Sequence, residues 1–485
     1  MSHASVTPIH VRRLVHLGYA ALVTAAIWFW YKSTWENPFL ILTTLGVLVL
    51  GVLPTLRWLA RDDATYPIME LLLFMTVPFY AMPVLTGHEE VGRFPESVVM
   101  SASMVVLTFQ LACMAGAAWA ARFFATRVRR HGGRWREEIL PEERMEFTAY
   151  TATLNTLWLM ATSFTDWIPS DWVGSLRAIF TGISIISIFV QARLWGSGRL
   201  GSSHKMLFWV NLLGQVTLTL VSLLLINAIG LLFTAFVGYF TTARRVPWVP
   251  VLLILPVLAI LHNGKSTMRE IYWTDRHPAP ELSNLPDYFL HWAELGLSNE
   301  KTRTQASESQ AITYGLLRRA SLFQIVCVTV DTIPRRNDFL YGASYQSVPA
   351  QLVPRFLWPD KPSPHQSVKL MSIQLGLLTE EGAESTSIGF GMITEAYANF
   401  GYICVALLGL VMGSLFRWLS LTTADCPTFS FAGLMRILCL VWCINAETTL
   451  AVWLSSLYQA CIAIFLTVFL LKFLRGGQTA PQNSG

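Results

Sequence analysis

The sequence predicts an all-α polytopic membrane protein with about twelve transmembrane helices and one large loop between the ninth and the tenth. Three observations carry that expectation. Of 485 residues, 53% are hydrophobic and only 13% charged, about half the charged share of an ordinary soluble domain. Apolar runs of about 20 residues, each long enough to cross a bilayer core, recur along the chain. One interval, residues 263–393, breaks that rhythm and is too long for a bare connection.

The spans follow in order. MSHASVTPIHVRR lacks a small-residue cleavage site and leads straight into a first span at 14–31, which is expected to be retained. Spans two, three and four fall at 38–56, 66–86 and 97–121. A basic cluster, RFFATRVRRHGGRWREE, follows at 122–138. Spans five and six fall at 147–165 and 172–191. The run from Lys205 to Arg244 fits either one very long helix or a hairpin turning near Asn227. Basic residues flank both of its ends, and cytoplasmic ends attract them, so spans seven and eight are set at 206–225 and 227–242. Spans nine to twelve fall at 247–262, 394–416, 429–446 and 450–471. The chain therefore divides into residues 1–262 with nine spans, a large loop at 263–393, and residues 394–485 with three spans and a short tail.

Charge sets the expected orientation. With the N-terminus inside, nineteen lysines and arginines fall in the cytoplasmic pieces, and two, Lys32 and Arg93, fall in short outside loops. Both termini are then cytoplasmic and the large loop faces outward. The net charge of +5 is small and does not point to nucleic acid. The basic cluster is expected to be a cytoplasmic anchor touching anionic lipid. Seven cysteines are scattered without CxxC spacing, and Cys327 alone lies in the large loop, so no disulfide can close within it.

Within the loop, a short helix is expected around Asp287–Leu297. Apolar residues recur at helical spacing from Ile312 to Val330, interrupted by Arg318 and Arg319, as in a helix lying on or dipping into the membrane surface. PRFLWPDKPSPH, at 354–365, holds four prolines, which forbid a regular helix. Cations recur at Arg318, Arg319, Arg335, Arg336, Arg355, Lys361 and Lys369. They fit a solvated or headgroup-facing surface, or a site for a diphosphate, which needs several fixed donors. Pro354–Arg355, Pro359–Lys361–Pro362 and Pro334–Arg335–Arg336 place cations on stiff backbone, and Phe356 and Trp358 can anchor it in the interface. Arg177, His262, Glu395, Asn445 and Glu447 fall near the same expected membrane face. Each alone fits an interfacial cap or a local salt bridge, and together they favour a polar cavity opening outward. Glu70 and Arg436 fall nearer the inner face, where snorkelling to water accounts for them.

LYGASY (340–345), PRFLWPDKP (354–362) and TSIGFGMITEAYANFGYICVALLGLVMG (386–413) resemble the bacterial O-antigen polymerase, or oligosaccharide repeat-unit polymerase, family. The resemblance implies the fold of GT-C-type glycosyltransferases in the inner membrane. It implies polymerisation of undecaprenyl-diphosphate-linked oligosaccharide repeat units on the periplasmic face, with a flippase and a chain-length regulator as partners. By motif it assigns Arg355, Lys361, Glu395, Tyr397, Asn399 and Gly401. His365 stands where the motif is looser. The reaction expels a lipid diphosphate, which fixed cations stabilise. Arg177, Arg319, Arg335 and Arg336 complete the candidate set. No DxD and no histidine ligand spacing occur in the outer loops, so a metal-independent reaction without cofactor is expected. Glu395 is the first candidate for the base and His365 the second. A structural role for Glu395, paired with a loop arginine, stands beside that. Three rivals remain: a ligase moving finished polymer from the same carrier, a transporter of the lipid-linked unit, and a non-catalytic membrane subunit of a polysaccharide assembly machine.

Overall fold

The structure, a computed structural model, describes residues 9–61, 65–128, 134–139, 145–165, 170–223, 225–272, 280–302, 322–353, 357, 358, 360–385, 388–445 and 447–476. Every regular element among them is helical. In chain order these are α1 (Ile9–Lys32), α2 (Pro38–Ala60), α3 (Ile68–Leu85), α4 (Glu96–Val128), α5 (Met145–Phe164), α6 (Ser170–Gly196), α7 (Ser202–Val221), α8 (Leu225–Ala243) and α9 (Trp248–Tyr272). The expected loop holds α10 (Leu285–Thr302), α11 (Leu322–Thr332), α12 (Gln366–Gln374) and α13 (Glu380–Ser385). Last come α14 (Met392–Thr422), α15 (Phe431–Trp442) and α16 (Leu450–Gly476).

Each of the twelve expected spans coincides with a helix. Among the described residues, eight helices are long and apolar enough to cross a membrane: α1 to α4, α6, α8, α9 and α14. The chain is a helical membrane protein. The other four fall short for identifiable reasons. α15 has 12 residues, and the described apolar stretch of α16 ends at Leu466. α5 and α7 carry amides and hydroxyls, and these pair with one another inside the fold. Gln215 donates to the Ala152 carbonyl at 3.0 Å and accepts from Asn155 at 3.0 Å and Ser184 at 2.8 Å. Asn211 donates to Thr153 at 3.0 Å and accepts from Thr156 at 3.0 Å. Polar groups between helices cost little when paired in this way.

By contacts the chain forms two compact units, Met1–Pro141 with Ala320–Gly485, and Glu142–Arg319. This division cuts through the expected loop. In the second unit, α9 runs past the expected border at 262 and turns back as α10, with Gly264 and Gly296 packed directly against the facing backbones. The α7–α8 hairpin forms as expected, turning at Leu223 (φ 57°) rather than at Asn227. Arg269 donates to the Leu223 carbonyl and Tyr288 to that of Val221 at 3.3 Å, so residues of the loop tie the turn down. α6 and α8 run parallel, with Gly238 against Phe189 and Gly196 against Tyr239 and Thr242.

The first unit has two recognisable ends. At one, Trp35 donates to the Val84 carbonyl at 3.0 Å, and the backbone N–H groups of Glu36 and Asn37 donate to Glu96 at the start of α4. α14 starts at this end too, because it packs parallel to α4. Tyr402 donates to the Ser101 carbonyl at 3.1 Å and Ser414 to that of Gly116 at 3.1 Å. Gly116, Gly409 and Gly413 bring the two backbones together, the small-residue contact common between helices in lipid. At the other end, Ser420 donates to the Tyr66 carbonyl at 3.0 Å, and Arg136 donates to the Ala424 carbonyl at 2.7 Å. Arg136, part of the expected lipid anchor, is thus engaged by protein.

Two expectations change here. α11 does not lie on a surface: Phe323, Val326 and Cys327 are buried among Val98, Val99 and Ala102 of α4 and Ala396 of α14. The first part of the expected helix, with Arg318 and Arg319, lies outside the described residues. Arg436 does not snorkel. It is buried, it donates to the carbonyls of Thr423 at 2.7 Å and Cys426 at 3.3 Å, and it stacks over Tyr66 at 3.9 Å. Glu70 is buried as well.

Candidate functional site

The site is built where α14 begins. Its helix is not continuous: Phe400 (φ −145°, ψ 25°) and Gly401 (φ 62°, ψ −146°) leave helical geometry. Glycine is the residue that tolerates the second conformation. A break there frees the carbonyls of Ala398 and Asn399 from their helical donors. The LYGASY turn supplies replacements. Leu340 N–H donates to Ala398 at 2.9 Å and Tyr341 N–H to Asn399 at 3.2 Å. The Asn399 side chain completes the junction, accepting from Gly342 N–H at 2.9 Å and donating to Ser344 Oγ at 2.8 Å and to the Glu395 carbonyl at 2.7 Å. Two motifs separated by more than fifty residues thus form one unit, and Asn399 is the pin between them.

Glu395 lies one turn before Asn399 and is fully buried. Its Oε2 accepts from Leu450 N–H at 2.6 Å, at the first turn of α16, where the helix dipole favours negative charge. Its Oε1 meets no hydrogen-bond partner among the described residues, and the Ser344 hydroxyl stands beside the carboxyl group. Asn399 donates into the Ser344 oxygen, so that hydroxyl keeps its own proton for another acceptor. Tyr345 reaches Cys404 Sγ at 3.7 Å. Burial first, and the Glu395 carboxylate next, raise the Tyr345 phenol above its ordinary range, so it remains a donor. Glu447 adjoins: its carbonyl accepts from Gly391 N–H at 3.0 Å, and its side chain lies against Gly389.

The proline stretch reaches the same place through two links. Gln351 donates to the carbonyls of Ser347 and Pro362, both at 3.1 Å, and Lys361 Nζ donates to the Val353 carbonyl at 2.7 Å. These contacts fasten the loop to the short helix Val348–Gln351, which packs on α16. Ser367, in the first turn of α12, meets Thr449 at 2.9 Å, next to the Leu450 N–H that holds Glu395. His365 immediately precedes α12 and is exposed.

The remaining candidates separate. Arg335 and Arg336 are exposed and share Asp331, at 3.5 and 3.1 Å. Arg335 stands close enough to Tyr397 to act on its hydroxyl electrostatically. Tyr397 itself is buried between Phe339 and Tyr402. Arg177 is in α6, in the second unit, and its side chain lies outside the described residues, as do Arg319 and Arg355. The structural alternative for Glu395, a pairing with a loop arginine, is not what the described residues give: its partner is a backbone N–H. Ser344, Tyr345, Gln351, Thr449 and Asp331 were not singled out by sequence. Ser344 had a signal, its place inside LYGASY, but Leu450 acts through backbone alone and leaves none. Among the described residues no three histidine, cysteine, aspartate or glutamate side chains gather as a metal site.

No curated protein and no solved structure matches this chain. One family does, over residues 178–428, a little more than half of the chain, and that stretch contains the broken helix and the turn docked on it. The chain belongs to this family, described as a domain of unknown function (DUF8712).

Proposed function

We propose that this protein polymerises lipid-linked oligosaccharide repeat units, joining them on the outer face of a bacterial inner membrane with undecaprenyl diphosphate as the leaving group. The observation that carries the reading is the buried Glu395, held at one oxygen by the start of α16, with the Ser344 hydroxyl beside the carboxyl group and, among the described residues, no geometric hydrogen bond at the other oxygen. A buried carboxyl group at a span end is costly and marks a functional site by default. In the proposed step, Oε1 takes the proton of an acceptor sugar hydroxyl. The hydroxyl oxygen bonds to the anomeric carbon of the donor, and the bond from that carbon to the lipid diphosphate breaks. The departing diphosphate carries the negative charge, which Lys361, Arg335 and Arg336, with Arg355 by motif, would stabilise. His365 would stand at the edge of this site.

The topology we propose has twelve spans, a GT-C-type plan, both termini inside and the Glu395 end outside. α7 counts as a span because α6 and α8 run parallel and the chain must return between them. Orientation rests on charge: Arg57, Arg61, Arg122, Arg136 and Arg417 gather toward the end opposite Glu395. The test is purified protein in liposomes with lipid-linked repeat unit and no nucleotide sugar. Wild type lengthens chains, Glu395→Gln slows growth about a hundredfold or more, and Lys361→Ala yields no long polymer. Normal growth by Glu395→Gln would overturn the mechanism. Transfer of finished polymer without lengthening would identify a ligase instead.

A further inference from the structure

A row of aromatic rings, buried at Tyr397 and exposed at Tyr402, Tyr341 and Phe400, runs alongside this site. Tyr402, Tyr397, Phe339, Tyr341 and Phe400 follow one another with ring centroids 5.6, 6.4, 6.2 and 6.1 Å apart. Tyr341 is 68% exposed and Phe400 45%. Membrane proteins commonly carry aromatics at the interface, and that alone would account for exposure. It does not account for the backbone of Tyr341. Its φ of 45° is left-handed, a conformation that disfavours every residue with a Cβ and suits glycine or asparagine. The ring gains no burial in return. The backbone conformation is held by the bond from Tyr341 N–H to the Asn399 carbonyl, and the exposed ring it presents is free to meet a ligand.

We propose that Tyr341 and Phe400 are a stacking platform for the sugar ring attached to the lipid diphosphate, and that Arg335 and Arg336 receive the diphosphate beside it. The proposal rests on the function argued above and assigns its donor subsite. Charge fits: two guanidinium groups share a single carboxylate, Asp331, and all three sit at the protein surface. Ring chemistry fits too, since the electron-rich face of an aromatic ring attracts the C–H face of a pyranose. Arg336 precedes Phe339 of the row by three residues, so their backbones lie within about 11 Å of each other, and Arg335 is near enough to the Tyr397 hydroxyl to act on it electrostatically. The distance to the proposed base is suitable. Tyr341 and Ser344, which flanks Glu395, are three residues apart in the chain, so their backbones are separated by at most about 11 Å. In the proposed arrangement a sugar on the platform would turn its anomeric carbon toward the Glu395 end of the site while its diphosphate stays on the arginines.

The experiment measures binding of three probes to the full chain in detergent: undecaprenyl-diphosphate N-acetylglucosamine, undecaprenyl diphosphate without sugar, and inorganic pyrophosphate. Tyr341→Asn keeps the left-handed turn and removes the ring. It should weaken the sugar-bearing probe about tenfold, the size of a lost stacking contact, and leave the sugarless lipid unchanged. Tyr341→Phe should bind all probes like wild type. The double variant Arg335→Ala, Arg336→Ala should weaken both diphosphate lipids and pyrophosphate. The proposal falls if Tyr341→Asn weakens all probes alike or none, if the double variant weakens none, or if wild type binds neither lipid. Wild type that binds as described yet builds no chains in liposomes removes the polymerase reading and leaves the platform. Chain growth with Tyr341→Asn binding as wild type does removes the platform and leaves the polymerase.

Discussion

Arg436 is a buried charge whose hydrogen bonds go to protein carbonyls. Its guanidinium closes the C-terminal end of α14 by hydrogen bonds to Thr423 and Cys426 and stacks on Tyr66, so it also meets the negative end of that helix. Arg436→Met would leave those carbonyls buried without this donor and lower stability by about 2–4 kcal/mol. Thermal unfolding in detergent measures the loss, and Arg436→Lys should recover only part of it, because an ammonium lacks the planar fork. A sequence gives the depth of such a residue and not its partners, which is why snorkelling looked sufficient. Glu395 and Asn399 were legible for the opposite reason. Both stand in a motif whose residue types are unusual at the mouth of an apolar span. Their roles were not legible: the groups that fix them are Gly342, Ser344 and Leu450, two of them acting through backbone N–H alone.

At the scale of elements, the break in α14 is the feature on which the site depends. Gly401→Ala forces a side chain into a conformation reserved for glycine and should cost about 1–3 kcal/mol. If α14 straightens to relieve the strain, Leu340 and Tyr341 lose their acceptors and Ser344 moves off Glu395. Chain growth should then fall further than thermal stability does, and equal losses would speak against this coupling. Asn399→Ala should act in the same direction, since it removes three hydrogen bonds at one stroke. Helix existence was legible from apolar length, and all twelve expected spans coincide with helices. The break was not. One glycine in an apolar run is tolerated in most helices, and only the docking of a turn from residues 340–345 shows what this one does. α11 was misjudged for a related reason: an apolar face of helical period is the same whether lipid or protein covers it.

For the molecule as a whole, helix direction is the strongest constraint. α4 and α14 lie parallel and in contact. Two parallel spans in one membrane require an odd number of crossings between them. Twelve spans place five there and the eight strongly apolar helices place three, so either number meets the rule for this pair, but only the twelve also place a crossing, α7, between the parallel α6 and α8. The shared direction also puts the 86–95 turn and the start of α14 on one face, with Tyr66 and the 423–430 turn on the other, where Ser420 and Arg436 hold Tyr66. The twelve-span reading of the sequence already runs the fourth and tenth spans in one direction, with Arg93 and the large loop on one side, and the contacts of α4 with α14 give that shared direction independently. Reporter tags inserted after Gly87, after Gly376 and after Asp425 test it in intact cells and in inverted vesicles. Tags at Gly87 and Gly376 should be accessible from the same side, and the Asp425 tag from the other. With the basic ends inside, that shared side is the cell exterior. Opposite accessibility at Gly87 and Gly376 would mean that α4 and α14 do not run parallel. The alignment that carries Glu395 to the start of α16, and with it the catalytic reading, would then be lost.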